Sequence, residues 1–549
     1  MERKRRLTWL ASGAALAVGI ALLVAACGGG GGKKASPKTT SGKTFANFRV
    51  TWDEPDYMDP GLAYTVAAWQ VMWNVHMSLL GYKHVAGDGG TKLIPYLAQS
   101  MPTISSNGTV YKFTLRPGLK YSNGKPVKAS DFLYTIKRDY LINSPGVGFF
   151  SPIVGADNFG KTKKGTIPGI VVNDAKRTIT VKLSHPEGDM ENILATLFAA
   201  FVPTGTPNTD QSTKGIPATG PYMVTSYTPM RGFVLKRNPN WSANNIPGVP
   251  KGNPDKVTAT MITDGSAALQ SVLSGRSDYD FITVPNDRLP DIQKKYSSQL
   301  KIYTSPNTYY YFMNFRVPPF NKLEARQAVN YAIDRNAIAQ TIFAGLAKPT
   351  QNILPPNYPQ YKKIDFYTYD LNKAKQLVQK SGTKGMKIVV YGDNTPPSAT
   401  LTQYLSGQLN KIGWKATPKL LSHGVYFTTI GNQATKAQAG FTDWFQDYPN
   451  PIDWFDVLFN GERITPTHNN NYSNVDIPDI NKRIDSLKQK TGTNSSGWAS
   501  VDHDLVVKYA AAAPYANRQG TDFFGSKVDT GCYVFHVLYQ FDFSQICMK

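Results

Sequence analysis

The stretch FTDWFQDYPNPIDWFDVLF, residues 441–459, sets carboxylates among aromatic rings and is interrupted by two prolines, so it cannot be one regular element and must include a loop. Carboxylates and rings held together in a loop are suited to receiving a cation or a polar ligand. Within it Asp447 can cap the Tyr448–Pro449 turn. A second aromatic run, Tyr309 to Phe312, ends beside Asn314. Strand alternation turns half of such a run into a core, so at most two of these rings can line a site. Tyr310 and Asn314 are the candidates taken from it.

Other chemistries lack their local geometry. Of the seven histidines no two lie four apart on a helix, as a zinc protease needs, and no metal site is expected. The chain has no G-x-S-x-G elbow, no phosphate-binding loop and no G-x-G-x-x-G after a strand. Cys532 and Cys547 are too far apart for a C-x-x-C redox site. These patterns argue against an enzyme and call for no cofactor.

The first residues concern address. Arg3, Lys4, Arg5 and Arg6 precede an uncharged stretch from Leu7 to Ala26 that ends in small residues before Cys27, the pattern of an export signal. A retained membrane anchor is the other reading, and both put the remainder outside the cell. The string Leu23-Val24-Ala25-Ala26-Cys27 resembles the lipobox of bacterial lipoproteins, with Val24 where leucine is usual, which implies lipid on Cys27. Residues 28–43, GGGGGKKASPKTTSGK, are a flexible tether with a mean reach of about 20–24 Å. With Cys27 lipidated, Cys532 and Cys547 remain as an exported pair read as a disulfide, two buried free thiols being the alternative. The formal charge of +22 falls by three when residues 1–26 are removed. The lysines are scattered rather than clustered, so nucleic acid is not the expected partner and anionic envelope polymers or lipids are.

Positioning these groups requires more than one core, since 549 residues exceed the span of a single one. MKIVVY (386–391) reads as a strand, followed by a helix capped by Ser398 with Leu401, Leu405, Leu409 and Ile412 on one face; Gly413 ends it and a strand follows at Trp414. A helix from Asn321, with Glu324 completing a capping-box variant, buries Ala325, Ala328, Val329, Ala332 and Ile333; another runs from Asp370 to Gly382. The earlier half is strand-rich, with YKFTLRPG (111–118) and TITVKLSH (178–185) alternating and a helix capped at Ser130 between them. Gly118 and Gly124 suit turns needing positive φ. The fold class is mixed α/β: an α+β lobe followed by an α/β lobe, with no internal repeat.

Three stretches in order, LIPYLAQSMPTISSNGTVYKFTLRPGLKYSNGKPVKASDFLYTIKR (93–138), PATGPYMVTSYTPMRGFVLKRNPNW (217–241) and YYYFMNFRVPPFNKLEARQAVNYAIDRNAI (309–338), resemble the oligopeptide and dipeptide branch of the family 5 extracytoplasmic solute-binding proteins of ABC importers. Ala218 and Ala325 depart from the family's glycine and valine. Arg326 and Arg335 are read as solvated or paired, alongside Asp334. The resemblance covers nearly all of residues 45–520. It implies a periplasmic-binding-protein-like two-lobed trap of the large peptide-binding type. Residues 45–304 plus 520–549 would form a first lobe with a subdomain at about 70–215, residues 305–519 a second lobe, with crossings near Ser305–Asn314 and Asn517–Asp522. Residues 1–26 and 27–44 are signal and tether.

In the family's peptide-binding members the aspartate of a W-x-x-D-Y segment pairs with the ligand's α-ammonium. That role falls on Asp447, with Trp444 lining the site. The resemblance thus implies a monomeric lipoprotein on the cell membrane that closes over a peptide and passes it to an ABC permease. The same architecture could instead take an oligosaccharide, on Trp444 and Trp454, or a metal chelate; a surface adhesin or chaperone-like binder is the reading from another class.

Overall fold

The computed structural model describes residues 43–490 and 496–549, so Cys27, the export signal and most of the tether lie outside the described residues. Its organising element is the strand Ala512–Phe524. The N-terminal part of this strand pairs antiparallel with Asn307–Met313 and its C-terminal part with Leu300–Thr304 and Tyr279–Asp280, so one strand joins two sheets. A bulge between Tyr309 and Tyr310 absorbs the mismatch, and Pro514, which has no N–H to give, sits there opposite Tyr310.

On one side of this junction Phe48–Trp52 lies parallel to both Tyr279–Asp280 and Lys256–Met261, and Gly232–Arg237 and Tyr222–Thr228 continue the sheet antiparallel. A separate four-stranded antiparallel sheet runs Thr103–Ser105, Val110–Thr114, Thr178–Lys182, Ile170–Asn173. The helix Ala129–Leu141 packs on it, and both share the core of Phe48, Trp52, Phe132 and Tyr279. Gly118 and Gly124 turn at φ 73° and 82°. This is the first lobe.

The second lobe has its own core, from Tyr309 to Ala516. Its strand Lys387–Asp393 lies parallel to Lys415–Leu421 and Ala439–Phe445, and the latter pairs antiparallel with Asn307–Met313. Ile388 and Val390 are fully buried, and the helix Ser398–Lys411 covers them with Leu401, Leu405 and Leu409. The C-terminal ends of three parallel strands, at Asp393, Leu421 and Phe445, therefore share one edge, where open α/β sheets leave room for a ligand.

Several local expectations are corrected by distant partners. The helix near Asn321 begins at Leu323 without a side-chain cap, and Glu324 pairs with Lys380 at 3.3 Å. Ser130 does not cap its helix: its N–H and hydroxyl both donate to Asp174 at 2.8 Å, while Asp131 accepts from the Lys128 N–H at 2.9 Å. Ser398 is the first helical residue, and its oxygen accepts from the Asp393 N–H at 2.9 Å. Arg326 and Arg335 are neither solvated nor paired with Asp334. Both are buried and donate to main-chain carbonyls, Arg326 to Phe320 and Tyr509 and Arg335 to Thr350, Pro514 and Asn330. Asp334 caps the Ala337 N–H instead, at 2.9 Å.

Candidate functional site

The strand Ala439–Phe445 ends where Phe445 pairs with Asn307, and the chain then turns through Gln446, Asp447 and Tyr448 into the helix Ile452–Phe459. Pro449 and Pro451 prevent the strand from continuing, and Asn450 Oδ1 accepts from the Ile452 N–H at 3.1 Å to start the helix. That helix is buried on nearly every side through Trp454, Phe455, Leu458 and Phe459, so its first turn is held firmly. Asp453 lies in this turn, fully buried. Its Oδ2 accepts from the Asp447 N–H at 2.9 Å and from Trp444 Nε1 at 3.3 Å.

Asp447 faces the other lobe. Tyr64 Oη, from the first lobe, donates to Asp447 Oδ2 at 2.7 Å, and the Tyr64 ring meets Trp444 edge-on at 6.3 Å. The carboxyl is only 7% exposed. Burial pushes it up to about 7, against hydrogen bonds from Tyr64 and Asp453 that pull it down. Burial and the neighbouring Asp447 charge raise Asp453 further. Two carboxyls in hydrogen-bond contact away from water hold at least one proton near neutrality unless a cation replaces it.

The junction between the lobes continues on both sides. Tyr448 Oη donates to Asp189 Oδ2 of the first lobe at 2.6 Å, and Gln446 Nε2 to the Val537 carbonyl at 3.4 Å. Gln446 Oε1 accepts from Tyr358 Oη at 2.5 Å, which in turn accepts from Trp454 Nε1 at 2.9 Å. Farther along the same sheet edge His423 Nδ1 lies 3.5 Å from Asp393 Oδ2, and that carboxylate raises the imidazole above its ordinary value. Asp53 of the first lobe lies within the field of both. Arg518 donates to Tyr309 Oη at 3.5 Å beside Asp443.

Of the four ligand-site expectations, Asp447 and Trp444 are brought together at this junction, and Tyr310 and Asn314 are not. Tyr310 is buried against Phe459 at 6.1 Å and supports the helix Ile452–Phe459 from below. Asn314 lies past the far end of its strand, six residues on from the partner of Trp444, or about 20 Å at the rise of a strand. Its amide donates to the Ala437 carbonyl and its oxygen accepts from the Arg316 N–H, so it closes the strand end. Trp454 is fully buried and offers no face for stacking. Sequence reasoning missed Tyr64, Asp189 and the role of Asp453. Asp453 was in view as the next carboxylate of the segment, whereas Tyr64 stands 383 residues from its partner. Among the described residues no group of three or more His, Cys, Asp or Glu could hold a metal ion.

The model of the bacterial extracellular solute-binding proteins, family 5 Middle, matches residues 92–466. The chain belongs to family 5 of the bacterial extracellular solute-binding proteins. Within this family it is 24% identical to the dipeptide-binding protein DppE of Bacillus subtilis (strain 168), over 93% of this chain and 89% of that one. It is 24% identical to the oligopeptide-binding protein OppA of the same organism, over 77% and 78%. Two solved structures share its fold: clavulanic acid biosynthesis oligopeptide binding protein 2, with TM-score 0.82 and 22% identity over 93% and 96% of the two chains, and DppA from Helicobacter pylori in complex with the peptide STSA, with TM-score 0.78 and 21% identity over 92% and 98%. An extracytoplasmic family member meets an oxidising environment, and here Cys532 and Cys547 are joined by a disulfide with Cα atoms 5.7 Å apart. Among the described residues no helix is long and apolar enough to cross a membrane.

Proposed function

We propose that this protein captures peptides outside the cell by closing its two lobes over them and delivers them to an ABC import permease, held at the membrane by lipid on Cys27. The observation that carries the reading is the buried Asp447–Asp453 pair at the lobe junction, reached from the opposite lobe by Tyr64. A peptide's α-ammonium is the group such a pair accepts, because it replaces a shared proton by a full charge-assisted contact. The cross-lobe bonds Tyr64–Asp447 and Tyr448–Asp189 exist only when the lobes are together, so they favour the closed form that a ligand would select. The peptide-binding names of the relatives support the same reading. Loss of the anchor at Cys27 would leave the binding step intact and remove retention at the membrane.

The test is native mass spectrometry of the protein with a peptide mixture whose amino termini are free or acetylated. Adducts are expected with free-amine peptides, lost on acetylation and in Asp447→Asn. Indifference to acetylation would remove the ammonium role of Asp447, and absence of peptide adducts from folded protein would refute peptide capture.

A further inference from the structure

The chain carries 60 Lys and Arg against 38 Asp and Glu, yet the junction between its lobes has the opposite balance. Glu187 and Asp189 from the first lobe and Asp447 and Asp453 from the second form one electrostatically connected row. Asp189 raises both Glu187 and Asp453, and the Tyr448 hydroxyl bridges the lobes to Asp189. Two cations, Arg463 and Lys488, lie within the field of Glu187 and Asp189 and lower both, but their direct contacts are to Asp456: Arg463 Nε donates to Asp456 Oδ2 at 2.6 Å, and Lys488 Nζ lies 3.1 Å from Asp456 Oδ1. The direct ion-pair partner of Glu187 among the described residues is the half-exposed His185 at 3.7 Å. No Lys or Arg among the described residues pairs with Asp189, Asp447 or Asp453.

A second observation points to a missing partner. Asp189 Oδ1 and Asp453 Oδ1 have no hydrogen-bond donor among the described residues, although their side chains are 1% and 0% exposed. Buried carboxylate oxygens are seldom left so, because the lost hydration is not recovered. One α-ammonium can satisfy the Asp447–Asp453 pair but leaves Asp189 Oδ1 without a donor. The rings that carry the hydroxyls on these carboxyls are apolar surfaces against which the methylene stem of a basic side chain would pack: Tyr448, on Asp189, meets Phe149 at 6.1 Å, and Tyr64, on Asp447, meets Phe198 at 5.2 Å.

We infer that the ligand carries two positive charges at its amino end, an α-ammonium received by Asp447 and Asp453 and a basic first side chain received by Asp189. This rests on the peptide reading above and narrows it to peptides that begin with lysine, arginine or a similar residue. The excess of basic charge elsewhere on the chain does not oppose it, since the carboxylates are concentrated where field lines are focused between low-dielectric walls.

The test compares three tripeptides of the same backbone by isothermal titration calorimetry on the full chain: lysine first, norleucine first, and Nε-acetyl-lysine first. Tenfold or greater preference for lysine over norleucine is expected in the unmodified protein, with acetyl-lysine resembling norleucine. Asp189→Asn, which still accepts from Tyr448, should bring the lysine-to-norleucine ratio close to one. Asp453→Asn should weaken all three. Equal affinity for lysine and norleucine in the unmodified protein overturns the inference alone. Failure of every free-amine peptide to bind a correctly melting sample overturns it together with the peptide reading.

Discussion

The Asp447–Asp453 pair makes ligand affinity depend on pH in a direction that can be worked from the structure. In the empty protein the Asp447 carboxyl is pushed up to about 7 and Asp453 higher, both by burial. An ammonium needs the ionised carboxylate, so binding below pH 7 must expel a proton. The groups whose charges or hydrogen bonds reach the pair are Tyr64, Tyr82, Tyr358, Trp444, Tyr448, Tyr539 and Asp189, none of them a cation that could hold it ionised. Expelling one proton costs about 1.4 kcal/mol for each pH unit below the empty-state value, a factor of ten. Affinity for a free-amine peptide should therefore rise about 100-fold from pH 5 to pH 7, level off, and fall again above about pH 8 as the peptide's own amine deprotonates. Titration calorimetry at pH 5, 6 and 7 in buffers of different ionisation heat measures both the affinity and the protons released, with close to one proton expected at pH 5. Affinity constant within threefold across this range, without proton release, would refute the reasoning.

The same burial governs stability. Asp280, Asp502, Asp522, Asp443 and Glu187 are all raised by burial, to about 7, 7, 6, 6 and 9. Their stabilisation is complete below the unfolded carboxyl range near pH 4 and is lost as pH rises through the folded values. His76 and His536, lowered by burial to about 4 and about 3, act oppositely below pH 6.5 but are fewer. The melting temperature of ligand-free protein should thus be higher at pH 5 than at pH 8, as read by calorimetry. Cys532 and Cys547 close a separation of 15 residues, so replacing both with serine should cost about 3 kcal/mol in chemical denaturation of the first lobe.

Elements whose signals are local were legible in the sequence. Asp370 accepts from the Lys373 N–H at 2.8 Å, and Ala374, Leu377 and Val378 are buried as their spacing requires. The strand at Lys387–Asp393 and the helix after it follow equally from short-range pattern. The misreadings arise where a residue with ordinary local chemistry is claimed from afar: Ser130 by Asp174, Glu324 by Lys380, and the two arginines by carbonyls of separate segments. The site divides the same way. Trp444 and Asp447 come from one segment and are reached through its likeness to the family's W-x-x-D-Y element, and Asp453, which completes them, lies six residues further on. Tyr64 and Asp189 belong to the other lobe, and only the fold brings them there. Tyr310 and Asn314 are engaged by the fold instead: Tyr310 lies in a strand that pairs antiparallel on both sides and is buried along its whole length, and Asn314 closes the end of that strand.

That division bears on how closure would be coupled to a ligand. The first lobe contributes Asp53, Glu187 and Asp189 to the junction, and the second contributes Asp393, Asp443, Asp447 and Asp453. Bringing the lobes together without a ligand sets like charges against one another in a region of low dielectric; His423, Arg518, Arg463 and Lys488 offset part of this, and around Asp447 and Asp453 the rest is relieved by taking up protons. A cationic peptide end relieves it without them. On this account the carboxylates serve discrimination as much as attraction: at neutral pH they hold the empty trap back from closing, and the free energy a ligand must supply to close it is what an uncharged or acetylated amino end cannot deliver. Lowering the pH should then favour closure of the empty protein, which small-angle scattering at pH 5 and pH 8 would register as a smaller radius of gyration at the lower pH. An unchanged radius would mean that the row of carboxylates binds without gating.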